Sequence, residues 1–169
     1  GDNYDLCCKI WTMNIRLIFM GKTDDQNIRD LLDDYIRRIT RYYHCTIHEI
    51  PTLKKSSSMR EEEVKSAEAD IILSQVTKDD IVVLLDERGK EIRSLDFASF
   101  MNQRFLSGMK GLVFIIGGAY GADQRIKNRA DHILSLSRMT FPHQLVRLLF
   151  TEQLYRALTI LRNEPYHHE

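Results

Sequence analysis

Apolar and polar positions alternate between two rhythms along this chain. "MNIRLIFMG" (residues 13–21) is a compact apolar run that predicts a strand. In "KTDDQNIRDLLDDYIRRITRYY", Ile28, Leu31, Leu32, Tyr35, Ile36, Ile39, Tyr42 and Tyr43 keep the i, i+3, i+4 spacing of one helical face. Thr23 and Gln26 predict a capping box at its start. "CTIHEIP" predicts a short strand ended by Pro51. A polar segment, "TLKKSSSMREEE", leads through a second capping-box pattern, Ser58 and Glu61, into a helix running to about Gln75. "DIVVLLDERGK" predicts a strand and turn, "SLDFASFMNQRFLS" a helix, and "GLVFIIGGAYGAD" a buried strand and glycine-rich loop. A short helix from Asp123 to about Arg129 follows, then a last strand, "DHILSLS", and a helix from Pro142 to about Leu161. Strands that alternate with helices, and are continuously apolar rather than half polar, predict an α/β fold around a mostly parallel sheet with flanking helices.

The last helix is apolar nearly all round. Leu145, Leu148, Leu149, Glu152, Arg156 and Thr159 share one face, and Val146, Phe150, Leu154, Ala157 and Leu161 cover another. Gln144, Arg147, Thr151 and Arg162 form the polar strip. Such a helix is buried on several sides. Glu152 and Arg156 then sit within an apolar face, in the order that favours an i, i+4 ion pair.

At 169 residues, 43% hydrophobic and 28% charged, the chain is sized for one domain with its own core. Residues 1–12, "GDNYDLCCKIWT", lack the basic start and apolar middle of a signal peptide and read as a leader outside a single domain spanning 13–169. Cys7, Cys8 and Cys45 make neither a zinc knuckle nor a disulfide framework, which fits a reducing cytosol. No apolar run is long enough to span a membrane. His44 and His48 are four apart but straddle a strand start, where that spacing does not converge on a metal. The net charge of zero hides an asymmetry. Residues 1–100 hold 15 Lys and Arg against 19 Asp and Glu, and residues 101–169 hold 9 against 5, so an anionic partner should meet the second part.

Open parallel sheets bind ligands beyond the carboxyl ends of their strands. Three predicted strands end in unusual loops: Leu85-Asp86 turning through Gly89, Gly117-Gly118 reaching Gly121, and Leu136-Ser137 continuing through Arg138-Met139-Thr140-Phe141. Together they suggest a small-molecule pocket built largely from main chain. Neither G-x-G-x-x-G nor a P-loop motif is present, which weighs against a dinucleotide, flavin or mononucleotide protein.

"FIIGGAYGAD", then "LSLSRMTFPHQLVRLLFTEQLYRA", then the terminal "PYHHE" closely resemble the ribosomal large subunit methyltransferase H family, of the SPOUT class of S-adenosylmethionine-dependent RNA methyltransferases. The resemblance runs from Met13 to the end. It implies a deep trefoil knot in the C-terminal part and a cytoplasmic homodimer without metal. The implied reaction is methylation at N3 of a pseudouridine in helix 69 of large-subunit rRNA, on the assembled ribosome. Carried over by position, cofactor contacts fall on Leu85, Gly117, Leu136, Ser137, Arg138, Met139, Thr140 and Phe141. The C-terminus is implied to fold back over the active cleft, with His167, Tyr166 and Arg138 as catalytic candidates. His168 stands where the family usually has a fixed cation. RNA contacts are expected from Arg125, Lys127, Arg129, Arg147, Arg156 and His168, with Lys54, Lys55 and Arg60 as further candidates. A ribosome-binding factor of the same fold but without catalysis is the competing expectation.

Overall fold

The computed structural model describes residues 13–52, 58–118 and 120–169. The leader of residues 1–12, and Lys54 and Lys55, therefore lie outside the described residues. The elements follow the expected order: β1 (Asn14–Met20), α1 (Gln26–Ile39), β2 (Cys45–Ile50), α2 (Glu61–Ser74), β3 (Asp80–Glu91), α3 (Ser94–Phe105), β4 (Gly111–Ile116), α4 (Gln124–Arg129), β5 (His132–Ser135) and α5 (His143–Leu161). The five described strands form one sheet in the order β2-β1-β4-β3-β5, and each neighbouring pair is parallel.

The sheet explains why its strands are continuously apolar. Ile15, Leu17 and Phe19 of β1, Ile81, Val83 and Leu85 of β3, and Leu112, Phe114 and Ile116 of β4 point to one face. There they pack beneath α1, α3 and α5, which contribute Leu32, Phe97, Met101, Phe150 and Leu154. The alternate residues, Ile18, Val82, Leu84, Val113 and Ile115, pack on the other face against Ala69 and Ile72 of α2 and Ile126 of α4. With both faces covered, a period-two polar pattern would bury polar groups without partners.

Two caps differ from expectation. The helix α1 is capped by Asp25, whose carboxylate accepts from the Asn27 and Ile28 amides at 2.8 and 3.2 Å. Thr23 is fully buried and its hydroxyl is engaged elsewhere, by Arg147. The helix α2 starts one residue after Arg60, whose amide donates to Glu63 at 3.3 Å, so Ser58 is not its cap.

The β3–β5 pairing carries an irregularity that shapes the upper edge of the sheet. Leu85 and Lys90 both register against Leu134, so residues 86–89 leave the ladder as a protruding loop. Within it the Arg88 amide donates to Asp86 at 2.8 Å. Gly89 brings the strand back: a Cβ there would lie 2.7 Å from the Leu134 carbonyl carbon, so only glycine allows this approach.

Candidate functional site

Beyond the carboxyl ends of β3, β4 and β5 lies a cavity of about 690 Å³, in the size range of small-molecule sites. Its walls come from the three strand ends picked out in the sequence: Leu85 to Arg88, Ile116 to Gly118 with Gly121, and Leu136 to Phe141 except Arg138. It reaches across the top of the sheet, from Glu61 and Lys65 of α2 on one side to His143 and Val146 of α5 on the other. A second cavity of about 260 Å³ shares Leu85, Leu136, Ser137 and Phe141 and runs along α5 to Glu152.

The loops are held in shape by their own short-range bonds. Ser135 Oγ donates to the Ser137 carbonyl at 2.8 Å, and the Met139 amide donates to Ser137 Oγ at 3.0 Å. The Gly121 amide closes a turn onto the Gly118 carbonyl at 3.1 Å, with Gly121 at φ +80. These polar groups are satisfied locally, so the cavity wall is largely fixed backbone.

Of the eight residues proposed to contact a cofactor, seven line the large cavity: Leu85, Gly117, Leu136, Ser137, Met139, Thr140 and Phe141. Arg138 does not. Its side chain is 87% exposed and pairs loosely with Glu91 at 3.6 Å.

The C-terminal residues sit in a different cluster, against α5 and α1. Tyr166 OH donates to Glu152 at 3.0 Å and lies 3.4 Å from Tyr35 OH, and its ring meets Tyr155 edge-on at 4.8 Å. Burial first, then these bonds, pushes the Tyr166 phenol well above the ordinary tyrosine range, so it stays a neutral hydroxyl. The Arg156 guanidinium pairs with Glu152, lies 4.9 Å from the Tyr166 ring and contacts His167 Nδ1 at 3.2 Å. A guanidinium can only donate, so His167 Nδ1 accepts and a neutral ring carries its proton on Nε2. Among the described residues that buried Nε2 has no partner. Neither Tyr166 nor His167 lines the large cavity; Glu152, which holds Tyr166 and Arg156, borders the smaller one. Beyond them Glu169 pairs with Arg93 at 2.7 Å, and His168 is exposed.

The expected RNA contacts divide. Arg147 is corrected: it is fully buried, not part of a solvent-facing strip, and Thr151 beside it is buried too. Its guanidinium donates to Thr23 Oγ1 at 2.9 Å and to the Met20 carbonyl at 2.6 Å, and lies 5.0 Å from the Phe19 ring. It therefore ties α5 to the end of β1. A helical wheel places it opposite the apolar faces but cannot see the carbonyl it reaches. Arg125 is engaged with Asp70 at 2.6 Å and the Ser66 carbonyl at 2.7 Å. Arg129 holds the Thr77 and Asp80 carbonyls at 2.7 and 3.0 Å. Lys127 lines the large cavity, and Arg60 is exposed.

One polar residue near the cavity went unnoticed in the sequence. Glu68 of α2 is 7% exposed and faces Gly118. The signal was its place between Val64 and Ile72, at i+4 and i−4 of a buried stripe.

Among the described residues, no helix is long and apolar enough to cross a membrane, and no group of three or more His, Cys, Asp or Glu could hold a metal ion.

A parallel sheet flanked by helices, with glycine-lined loops gathered at the ends of its last strands, is matched over residues 13–167 by the family model described as "Predicted SPOUT methyltransferase". The chain belongs to that family of SPOUT methyltransferases. Its relatives narrow the family further. It is 49% identical over 156 residues to the Ribosomal RNA large subunit methyltransferase H of Christiangramia forsetii, covering 92% of this chain and 99% of that protein. It is 46% identical over 157 residues to the protein of the same name in Flavobacterium johnsoniae, covering 93% and 100%. A solved SpoU methyltransferase, AviRb from Streptomyces viridochromogenes in complex with AdoMet, overlays with a TM-score of 0.45 at 13% identity, over 89% of this chain and 59% of that one. That overlay is too loose to bear on the site.

Proposed function

We propose that this chain is an S-adenosylmethionine-dependent methyltransferase acting on N3 of a pseudouridine in helix 69 of 23S rRNA, in assembled ribosomes, as a homodimer with a knotted C-terminal half. The observation that carries the reading is the gathering of Leu85, Gly117 and most of residues 136–141 around one cavity, in a chain nearly half identical to proteins named for rRNA methylation.

The residues present fit the donor. The cavity is large enough for it, offers apolar wall from Leu85, Ile116 and Phe141, and presents backbone without a side chain at Gly117. When bound, S-adenosylmethionine supplies a methyl group made electrophilic by its sulfonium. What remains for the protein is to hold N3 in line with that methyl and to manage one proton. In this arrangement His167 Nδ1 accepts from Arg156 and Nε2 is enclosed, so the C-terminal residues must shift for the ring to meet the base. Once it is exposed, Nε2–H suits donation to a carbonyl of the target ring, stabilising the ring as its N3 proton passes to solvent water. Tyr166, kept neutral, suits stacking on or hydrogen bonding to the same base. Arg138, exposed beside the cavity loop, suits the neighbouring phosphate, with Lys127, Arg60 and His168. Arg125, Arg129 and Arg156 already hold protein partners and would contact RNA only through donors left over.

Dimerisation is supported by the outer side of α5, where Leu149 is exposed and Leu145 is only half-buried. A 19-residue helix this apolar suits a second covering surface.

The test is methyl transfer from labelled S-adenosylmethionine to ribosomes that lack the modification, followed by nucleoside mass spectrometry. One added methyl on a pseudouridine is expected. Absence of transfer to intact ribosomes, with the donor bound, would favour a silent ribosome-binding protein.

A further inference from the structure

We propose that α2 reads the amino-acid end of the methyl donor, Glu68 taking its α-ammonium and Lys65 its α-carboxylate. This rests on the donor occupying the large cavity and assigns residues on a wall that the three strand-end loops do not supply.

The first observation is a deep carboxylate without a partner among the described residues. Glu68 is 7% exposed, yet its oxygens are not among the fully enclosed orphan atoms and so keep some open surface. Burial raises its pKa, with no ion pair to offset the effect. The other buried acid among the described residues, Asp80, takes Arg16 and Thr77 as partners. A carboxylate this deep in the chain whose oxygens stay open to a recess is placed to meet a group from outside the chain.

The second is direction. A Cβ added to Gly118 would lie 3.8 Å from Glu68 Oε2, so the carboxylate abuts the loop that leaves β4. Glu68 and Lys65 together border a recess of about 10 Å³, room for one ammonium-sized group. The recess adjoins the large cavity: Lys65, Gly117, Gly121 and Ala122 line both, and Glu68 borders the recess.

The third is chemistry. Lys65 and Glu68 are three apart and lie on one side of α2. One fixed cation and one buried anion, side by side at the end of a cavity, complement a zwitterion. The donor carries a zwitterion at its methionine end, with ammonium and carboxylate on adjacent carbons. An ammonium in the recess would supply the counter-charge Glu68 lacks, and the buried pair would be a strong charge-assisted contact.

Calorimetry on the full chain with three probes tests this: S-adenosylmethionine, its decarboxylated form, and 5′-methylthioadenosine, which lacks the amino-acid end. Glu68→Gln should weaken the first two roughly tenfold or more and leave the third unchanged. Lys65→Met should weaken S-adenosylmethionine alone. Equal loss on all three probes would make Glu68 a support for the loop and overturn the assignment, as would no loss on any. Wild-type protein that binds none of them would instead remove the donor from the cavity, which is the failure of the parent reading. Lys65 is half-buried at most, so its variant keeps the test open should the Glu68 variant not fold.

Discussion

At the amino ends of the strands, Asp80 accepts from Arg16 at 2.9 Å and from the Thr77 amide at 2.9 Å. Asp131 accepts from the Val82 amide at 2.8 Å, and Arg129 spans the Thr77 and Asp80 carbonyls. Gly111 fits there only because it has no Cβ, which would fall 1.9 Å from Asp80. Beside the carboxyl ends of the same strands, Glu68 has no partner among the described residues, and the three strand-end loops line open space. A groove of about 380 Å³ exists at the amino end as well, but Asp80, Arg129 and Asp131 on its wall already hold partners within the fold. Volume alone therefore does not distinguish a site from a crevice. What distinguishes them is whether the polar groups are left needing something.

Disturbing each end should give opposite signatures. Gly117→Leu sets a side chain on the wall of the large cavity, where its Cβ would meet the Gly121 and Ala122 backbone at ordinary contact distances from 3.5 Å. Donor affinity by calorimetry should fall by about 100-fold with urea stability nearly unchanged. Asp80→Ala should do the reverse. It strands Arg16 and the Thr77 amide, and urea unfolding should show a loss of about 3 kcal/mol, while folded protein binds donor as before. Arg147→Met separates the structural reading of that residue from the expected RNA contact. The variant leaves the buried Thr23 hydroxyl and the Met20 carbonyl without their donor, so urea unfolding should show a loss of about 2 kcal/mol, while the salt dependence of ribosome binding should stay the same.

The smallest effect concerns Glu68 in the ligand-free protein. Its folded pKa lies above the ordinary value of 4.5, so the folded state holds the proton more tightly than the unfolded one. As pH rises above about 4.5, the unfolded state gains by ionising first, and folded stability falls until the folded group ionises too. Glu68→Gln removes this penalty. Its melting temperature should exceed that of wild type at pH 8, and the gap should close as pH falls toward 4.5.

Much of this was legible in the sequence, for identifiable reasons. Continuous apolar runs flanked by helical spacing fix β1, β3 and β4 to within a residue or two, because a sheet covered on both faces leaves no other pattern. The glycines at 89, 117 and 121 mark the strand ends that meet. Long-range hydrogen bonds were not legible. Thr23 suits an N-cap as well as Asp25 does, until Arg147 arrives from 124 residues away to claim its hydroxyl. Arg147 itself looks like a surface residue on a wheel. Glu68 reads as one more charge after Glu61 to Glu63, although its spacing from Val64 and Ile72 betrays it. Tyr166 and His167 stand apart from the large cavity in the folded chain, linked to its smaller neighbour through Glu152, which no local pattern announces.

The most direct measurement is a crystal structure of the chain soaked with S-adenosylmethionine. The account predicts the donor between Leu85, Gly117 and residues 136–141, with its amino-acid end turned toward Lys65 and Glu68. Donor found in the amino-end groove, or an empty cavity at saturating donor, would contradict it.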